Sequence, residues 1–171
     1  MEVQLTGNFA FAFDELEDQH ERLLKLAEHM RDALVPQTLQ EPRLLTTLRG
    51  EFLALLAEHV VLEDGVIEGL NQQVPALRDN PILQRLNADL EVWMQRFIAH
   101  GTRWSPALVS FNWHDYRHRE DALLLAVIEH IDTETTLAYP ILKAAAAELP
   151  PALGAWSTDP ISRRTAGGHA G

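Results

Sequence analysis

Apolar residues recur every three or four positions in four long segments of the chain, and clusters of proline or glycine separate those segments. This spacing places apolar side chains on one face of a helix. The pattern predicts helices over about residues 14–34, 42–71, 81–104 and 115–147. Asn80 and Pro81 are suited to the N-cap and the first turn of the third helix.

Four long helices joined by short connections are typical of an up-down-up-down bundle, so the predicted fold class is all-α. The only strand-like alternation is FAFAF at residues 9–13, which is too short and isolated to found a sheet. The 171 residues fit one domain. We expect one bundle over residues 1–149 and a flexible C-terminal tail over residues 150–171.

Polar residues interrupt the apolar face of every predicted helix. Each face contains one histidine, and the second and fourth histidines are each followed four residues later by a glutamate; the set is His20, His59, Glu63, His100, His130 and Glu134. On the fourth helix the predicted inner face is Leu123, Val127, His130, Glu134, Leu137 and Ile141. Burying a charged side chain without a partner costs several kcal/mol, so these groups must find partners inside the protein.

The spacing of the four histidines along the chain predicts that they meet. If each helical hairpin turns near its middle, every histidine lies roughly 10 to 18 residues from its turn, or about 15 to 27 Å along the helix axis. The two arms of each hairpin then have nearly equal lengths. We therefore expect the four imidazoles at one height in the bundle.

Composition narrows the chemistry that these residues can support. The net charge of −11, with 14 basic and 25 acidic residues, argues against a nucleic-acid-binding protein. The absence of cysteine excludes disulfides, thiolate nucleophiles, zinc–cysteine sites and iron–sulfur clusters. No signal-like segment and no apolar stretch of about 18 residues is present, which favours a cytoplasmic protein without a membrane span.

The paired spacing of histidine and glutamate indicates a metal centre. Residues four apart on a helix share a face, so His59 with Glu63, and His130 with Glu134, each present a nitrogen and a carboxylate to one volume. Four imidazoles and two carboxylates suit two ions bridged by the carboxylates, with room for an exogenous ligand. Imidazole and carboxylate favour iron or manganese, with zinc as an alternative, over calcium or magnesium.

Along the chain, a lone histidine is followed by a His-x-x-x-Glu unit, and this order occurs twice. The pattern resembles that of a hemerythrin-like HHE cation-binding domain. The resemblance covers about residues 10–147. It implies an oxo- or hydroxo-bridged pair of iron ions, for which manganese or zinc can substitute. In that centre His20, His59, His100 and His130 are terminal ligands, and Glu63 and Glu134 are bridging ligands.

The resemblance further implies a protein that binds or reduces O2, nitric oxide or peroxide, in oxidative or nitrosative stress or in iron handling. An electron donor or a protein partner would complete such a system. Oxygen-carrying hemerythrins have a further histidine where this chain has Trp104, and an aspartate where it has Thr135. In these positions the chain is more similar to the iron–sulfur-cluster repair and nitrosative-stress branch, although it lacks that branch's cysteine-bearing domain.

Several alternatives remain open at this stage. A non-catalytic iron or oxygen sensor, or a metal-storage module, would use the same ligands and act through a partner, and a plain scaffold would use them only as a hydrogen-bonded network. Glu17 and His20 form one Glu-x-x-His unit, which ferritin-like oxidases use twice. His114 and His118 form a pair that suits surface or loop capping better than a two-nitrogen metal clip, and we expect His29 to be solvated.

Overall fold

The computed structural model describes residues 6–35, 42–104, 106–149 and 155–157. Nearly all of them are helical: α1 (Phe9–Ala33), α2 (Pro42–Gln73), α3 (Pro81–Arg103), α4 (Pro106–Phe111), α5 (Trp113–Thr133) and α6 (Tyr139–Ala147). A 3₁₀ helix, Pro75–Asp79, links α2 to α3, and a π-helical turn, Glu134–Ala138, makes α5 and α6 one continuous rod. None of the described helices is both long and apolar enough to cross a membrane.

The four predicted helices are present, and the all-helical class is confirmed. The up-down-up-down order of a bundle stays a prediction. Helix α1 begins at Phe9 rather than near Asp14, because FAFAF is its first turn and not a strand. Phe9 and Phe13, four residues apart, are buried, whereas Phe11 between them is 74% exposed. A period of four therefore overrides the apparent alternation.

A short strand pair lies outside the helices and was not predicted. Strand β1 (Thr6–Asn8) pairs antiparallel with β2 (Ala155–Ser157), and Gly7 lies opposite Trp156. Part of the predicted tail is therefore hydrogen-bonded next to the start of α1. The rest of that prediction concerns residues 150–154 and 158–171, which lie outside the described residues.

Two hydrophobic clusters form the interior. One contains Leu23, Phe52, Leu56, Phe97 and Ile131, together with their neighbours. The other contains Leu16, Val66, Ala138, Tyr139 and Leu142, together with theirs. On three stretches of helix a buried polar residue falls along the chain between residues of the two clusters: His20 between Leu16 and Leu23, His59 between Leu56 and Val66, and Glu134 between Ile131 and Ala138. The polar residues thus interrupt an otherwise apolar core.

The π-helical turn changes which residues face inward after Glu134. A π-helical turn contains more residues than an α-helical turn. The residues after it therefore no longer follow the three-and-four spacing of the preceding helix. The prediction that Leu137 faces the core is wrong, since that side chain is 47% exposed. Ala138, Tyr139 and Leu142 are buried instead, and Ile141 is only partly buried.

The N-terminus of α3 is capped as predicted. The Asn80 side chain accepts hydrogen bonds from the backbone N–H groups of Ile82 and Leu83, at 3.0 and 3.3 Å. We expect Asn80→Ala to lower the free energy of unfolding by about 1 kcal/mol, because two N–H groups lose their acceptor. Urea denaturation measures the change. Asn112→Ala is the matched control, since Asn112 caps α5 without a side-chain hydrogen bond and its removal should cost less.

Candidate metal centre

Three elements bring the central ligand group together: α1 carries His20, α2 carries His59, and the π-helical turn begins with Glu134. One donor atom from each residue lies within 4.8 Å of the other two, and all three side chains are buried. Two imidazole nitrogens and a carboxylate oxygen at this separation can hold a metal ion. The apolar clusters on both sides separate the group from bulk water.

The two imidazoles face each other through their Nε2 atoms, which are 3.3 Å apart. Gln19 determines the tautomer of His59, because its Nε2 donates to Glu15 and its Oε1 is left to accept from His59 Nδ1–H, at 3.2 Å. The lone pair of His59 is therefore on Nε2, on the side of His20. Two nitrogens bound to one ion at about 2.0–2.1 Å would themselves be roughly 3 Å apart.

His20 is oriented from two sides. Its Nδ1 lies 3.1 Å from the Thr135 hydroxyl, and the Tyr139 ring stacks against it with an interplanar angle of 7°. The Tyr139 hydroxyl lies 3.1 Å from His20 Nε2 and also hydrogen-bonds Glu63. Partners on the outer nitrogen of a ligand histidine set its tautomer and ring orientation, and Thr135 and Gln19 take that position here.

Glu134 is surrounded by imidazoles. Its carboxylate oxygens lie 2.6 Å from His130 Nε2, 3.1 Å from His20 Nε2 and 4.0 Å from His59 Nε2. Despite this proximity, neither His130 Nε2 nor Glu134 Oε2 makes a well-aligned hydrogen bond within the described residues. Buried polar atoms left without aligned partners are costly, and a cation among them would satisfy both.

The electrostatics of the group suit a cation. Burial lowers the pKa of His59 to about 4, with the charge of His20 adding to the effect, so His59 is neutral and has a free lone pair at pH 7. Burial alone would raise the pKa of Glu134, but contacts with the imidazoles of His130 and His20 outweigh it and lower that pKa to about 2. A neutral imidazole and an ionised carboxylate are the forms in which these residues bind metals.

Glu63 lies at the edge of the same group, with Oε2 3.9 Å from His59 Nε2. Burial, followed by the negative charge of Glu134, raises its pKa well above the usual range. Two carboxylates close together in an apolar interior resist sharing two negative charges, and bound cations relieve that repulsion. The structure thus brings together five of the six predicted ligands, namely His20, His59, Glu63, His130 and Glu134.

His100, the sixth predicted ligand, makes its closest contacts in a different group. Its Nε2 lies 2.7 Å from Glu120 Oε2, although this contact is not an aligned hydrogen bond, as for His130 and Glu134. The same carboxylate oxygen accepts a hydrogen bond from Arg49 at 3.1 Å. Tyr116 packs against the imidazole, with ring centroids 5.2 Å apart. The sequence-based assignment of His100 as a terminal ligand is untested. Because the ring would have to leave Glu120 to bind an ion in the central group, the structure favours a position of His100 outside that group.

We expect His100→Ala to retain the metal content of the wild-type protein, because His100 is paired with Glu120. Elemental analysis of the purified variant measures this, with His29→Ala as a control for an exposed histidine on α1. A loss of metal comparable to that caused by truncating His59 would contradict the expectation and support His100 as a ligand.

The other candidates from the sequence lie away from the centre. Glu17 is a partly exposed side chain that pairs with Lys143 and is not part of the central group of His20, His59 and Glu134, so the ferritin-like alternative gains no support. His29 is exposed, as predicted. His114 and His118 are both exposed on α5, with their Nε2 atoms 3.3 Å apart.

Sequence reasoning missed Gln19, Thr135, Tyr139 and the pair of Glu120 and Arg49. Gln19 directly precedes His20, a predicted ligand, and this position is the only signal in the sequence that pointed to it. Tyr139 faces inward only because of the π-helical turn, which no spacing rule anticipates. Glu120 is fully buried, yet in the sequence it is one acid among several at the start of the fourth helix.

No protein-family model matches this sequence, and neither the curated proteins nor the solved structures contain a match.

Proposed function

We propose that this chain is a hemerythrin-like four-helix bundle with up-down-up-down topology that holds a non-haem di-iron centre and binds or reduces O2, nitric oxide or peroxide. The proposal places it in the cytoplasm, where an electron donor would return the centre to its reduced state. It assigns His20, His59 and His130 as terminal ligands and Glu63 and Glu134 as bridging ligands. His100 is left to the test described above.

One observation carries the proposal: a buried group of two imidazoles and a carboxylate, drawn from three parts of the chain, in which Glu134 Oε2 has no aligned hydrogen-bond partner among the described residues. A core network without metal would pair its members. Here the Nε2 atoms of His20 and His59 face each other at 3.3 Å, a separation that suits either an N–H···N hydrogen bond or two nitrogens bound to one cation. The second carboxylate, Glu63, adds charge for a second ion.

Iron bound here would supply redox chemistry and an open position for a small ligand. The chain itself would orient the imidazoles through Gln19 and Thr135 and keep bulk water away with apolar packing. The Tyr139 hydroxyl is the proton-bearing group in contact with both His20 and Glu63. Burial, and then the charge of Glu63, raise the pKa of that phenol, so it holds its proton in the metal-free protein.

Anaerobic purification followed by elemental analysis and an optical spectrum tests the proposal. We expect two iron atoms per chain, and a change in visible absorption on adding O2, nitric oxide or peroxide. A protein that holds no transition metal after growth in iron-rich medium and after anaerobic reconstitution would be a scaffold, and the proposal would fail. Full loading with zinc and no affinity for iron would also contradict it.

A second candidate is a non-catalytic iron or oxygen sensor, or a metal-storage module, that acts through a partner. The π-helical turn favours this second candidate, because Glu134 is the first residue of that turn and the next residue, Thr135, contacts His20. Such turns concentrate at functional sites, and a ligand that binds metal here could transmit a change in register to α6. Turnover of peroxide or nitric oxide, measured with a reductant present, separates the enzyme from the sensor.

A further inference from the structure

An open groove of about 1120 Å³ runs between α3 and α5. Its lining extends along α3 from Pro81 to Arg103, which corresponds to roughly 33 Å of helix. The helices run antiparallel here, because Trp93 Nε1 donates to the Leu123 carbonyl and His100 contacts Glu120. The groove therefore has one end near Arg103 and Arg119, and another near Ile82 and Leu137.

Small residues keep the groove open on the α5 side. Ala122 and Ala126, one turn apart, both line it. Apolar residues make up about half of the remaining lining, and two of them, Val92 and Leu137, are 48% and 47% exposed. A concave surface of this size can hold an elongated organic ligand, and its exposed apolar side chains leave hydrophobic area in water.

The charge of the groove is opposite to that of the whole protein. Its lining contains four arginines and two acids, in a chain with a net charge of −11. Two of the arginines form ion pairs. Arg85, toward the Ile82 end of the groove, pairs with Asp89, and Arg119 on α5 pairs with Asp115. Arg96 and Arg103 form no ion pair in the part of the chain that the structure describes. Two guanidinium groups thus lie toward one end of an elongated apolar surface.

We propose that this groove binds an elongated organic anion, a carboxylate with an unbranched apolar chain, whose head group lies at Arg96 and Arg103. The apolar chain would extend past Trp93 toward Leu137 and cover side chains that are otherwise in water. A negatively charged protein repels anions in general, so selectivity for the anion must come from this local positive region. His130 lines the groove as well, so the bound molecule would lie next to the candidate metal centre.

The proposed anion site is inferred from the residues that line the groove, and it does not depend on the proposed metal chemistry. Isothermal titration calorimetry with sodium octanoate tests it, in metal-stripped and in metal-loaded protein. We expect one site per chain, with a Kd of about 1 mM or tighter for a ligand of this size. Octylamine and 1-octanol, which carry the same chain with a positive or a neutral head, should bind more weakly than octanoate.

Two variants with matched controls locate the site. The double variant Arg96→Gln/Arg103→Gln should weaken octanoate binding by about 3- to 30-fold, and Arg22→Gln, on an exposed face of α1, should not. Ala122→Phe should abolish binding by filling the groove, whereas Ala54→Phe, an exposed position of α2 outside it, should leave binding intact. Circular dichroism establishes that each variant is folded.

Several results would overturn the site. These are no heat of binding at about 10 mM octanoate, equal affinity for octylamine, or affinity unchanged in both folded groove variants. A dimer in solution that Ala122→Phe dissociates would assign the groove to a second copy of the chain instead. If the protein binds octanoate but never holds a metal, the anion site in the groove would be supported and the di-iron proposal would fail.

Discussion

Truncation of His59 to alanine is expected to lower the bound metal to about half of the wild-type content or less. The imidazole is neutral, its free lone pair is on Nε2, and that nitrogen faces both His20 and Glu134. No other side chain on α2 brings a nitrogen to this position in the described residues. Elemental analysis after anaerobic reconstitution measures the content.

The same variant should lose most of the stability that metal provides. A ligand that binds only the folded chain adds about 2.7 kcal/mol when its free concentration is about 100 times Kd. The quantity to compare is the difference in melting temperature between metal-loaded and metal-stripped protein, because that difference cancels the cost of the cavity left by the imidazole. His29→Ala is the matched control and should keep both the metal and the difference. Full metal content in His59→Ala would show that the ligand assignment is wrong.

Replacement of Glu120 by alanine is expected to lower the free energy of unfolding by about 3–5 kcal/mol, even in metal-free protein. Glu120 is fully buried and joins three helices, through Arg49 on α2 and His100 on α3. Its removal leaves the Arg49 guanidinium, only 16% exposed, without a counter-charge. For a chain of this length the loss corresponds to a melting temperature lower by about 6–20 °C.

Two companion variants separate lost charge pairing from lost volume. Asp115→Ala removes an exposed ion pair with Arg119 on the same helix and should cost under about 1 kcal/mol. The double variant Arg49→Met/Glu120→Leu removes both charges and fills the space, so it should recover most of the stability of the wild type. A single Glu120→Ala change within about 0.5 kcal/mol of wild type would mean that the pair is not buried in solution.

The three-and-four spacing also predicts the inner faces of the first two helices, and every residue of both is buried: Phe13, Leu16, His20, Leu23, Ala27, Met30 and Leu34 on the first, and Phe52, Leu56, His59, Glu63, Val66 and Leu70 on the second. Both helices are regular over those residues, so a period of 3.6 projects correctly from one turn to the next. The pattern fails where the helix changes type. After Glu134 the π-helical turn moves Leu137 outward and Tyr139 inward.

His100 shows a second limit of sequence reasoning. Its height along α3 and its inward direction follow from spacing, and the side chain is buried as expected. Its partner was not predictable, because an inward-facing imidazole takes whichever carboxylate the neighbouring helices bring within reach. Glu120, three turns before His130 and near Arg49, competes with the metal centre for it.

By itself the sequence determined the helical class, the buried faces of α1 and α2 and the turn on which each histidine and glutamate lies, because these depend on local periodicity. Only the tertiary structure decided which side chains meet. The distance between two side chains on different helices depends on how the helices are rotated and offset against each other, and a single π-helical turn alters both. That is why four of the polar residues gather around Glu134 while His100 pairs with Glu120, and why an arginine-flanked groove opens between α3 and α5.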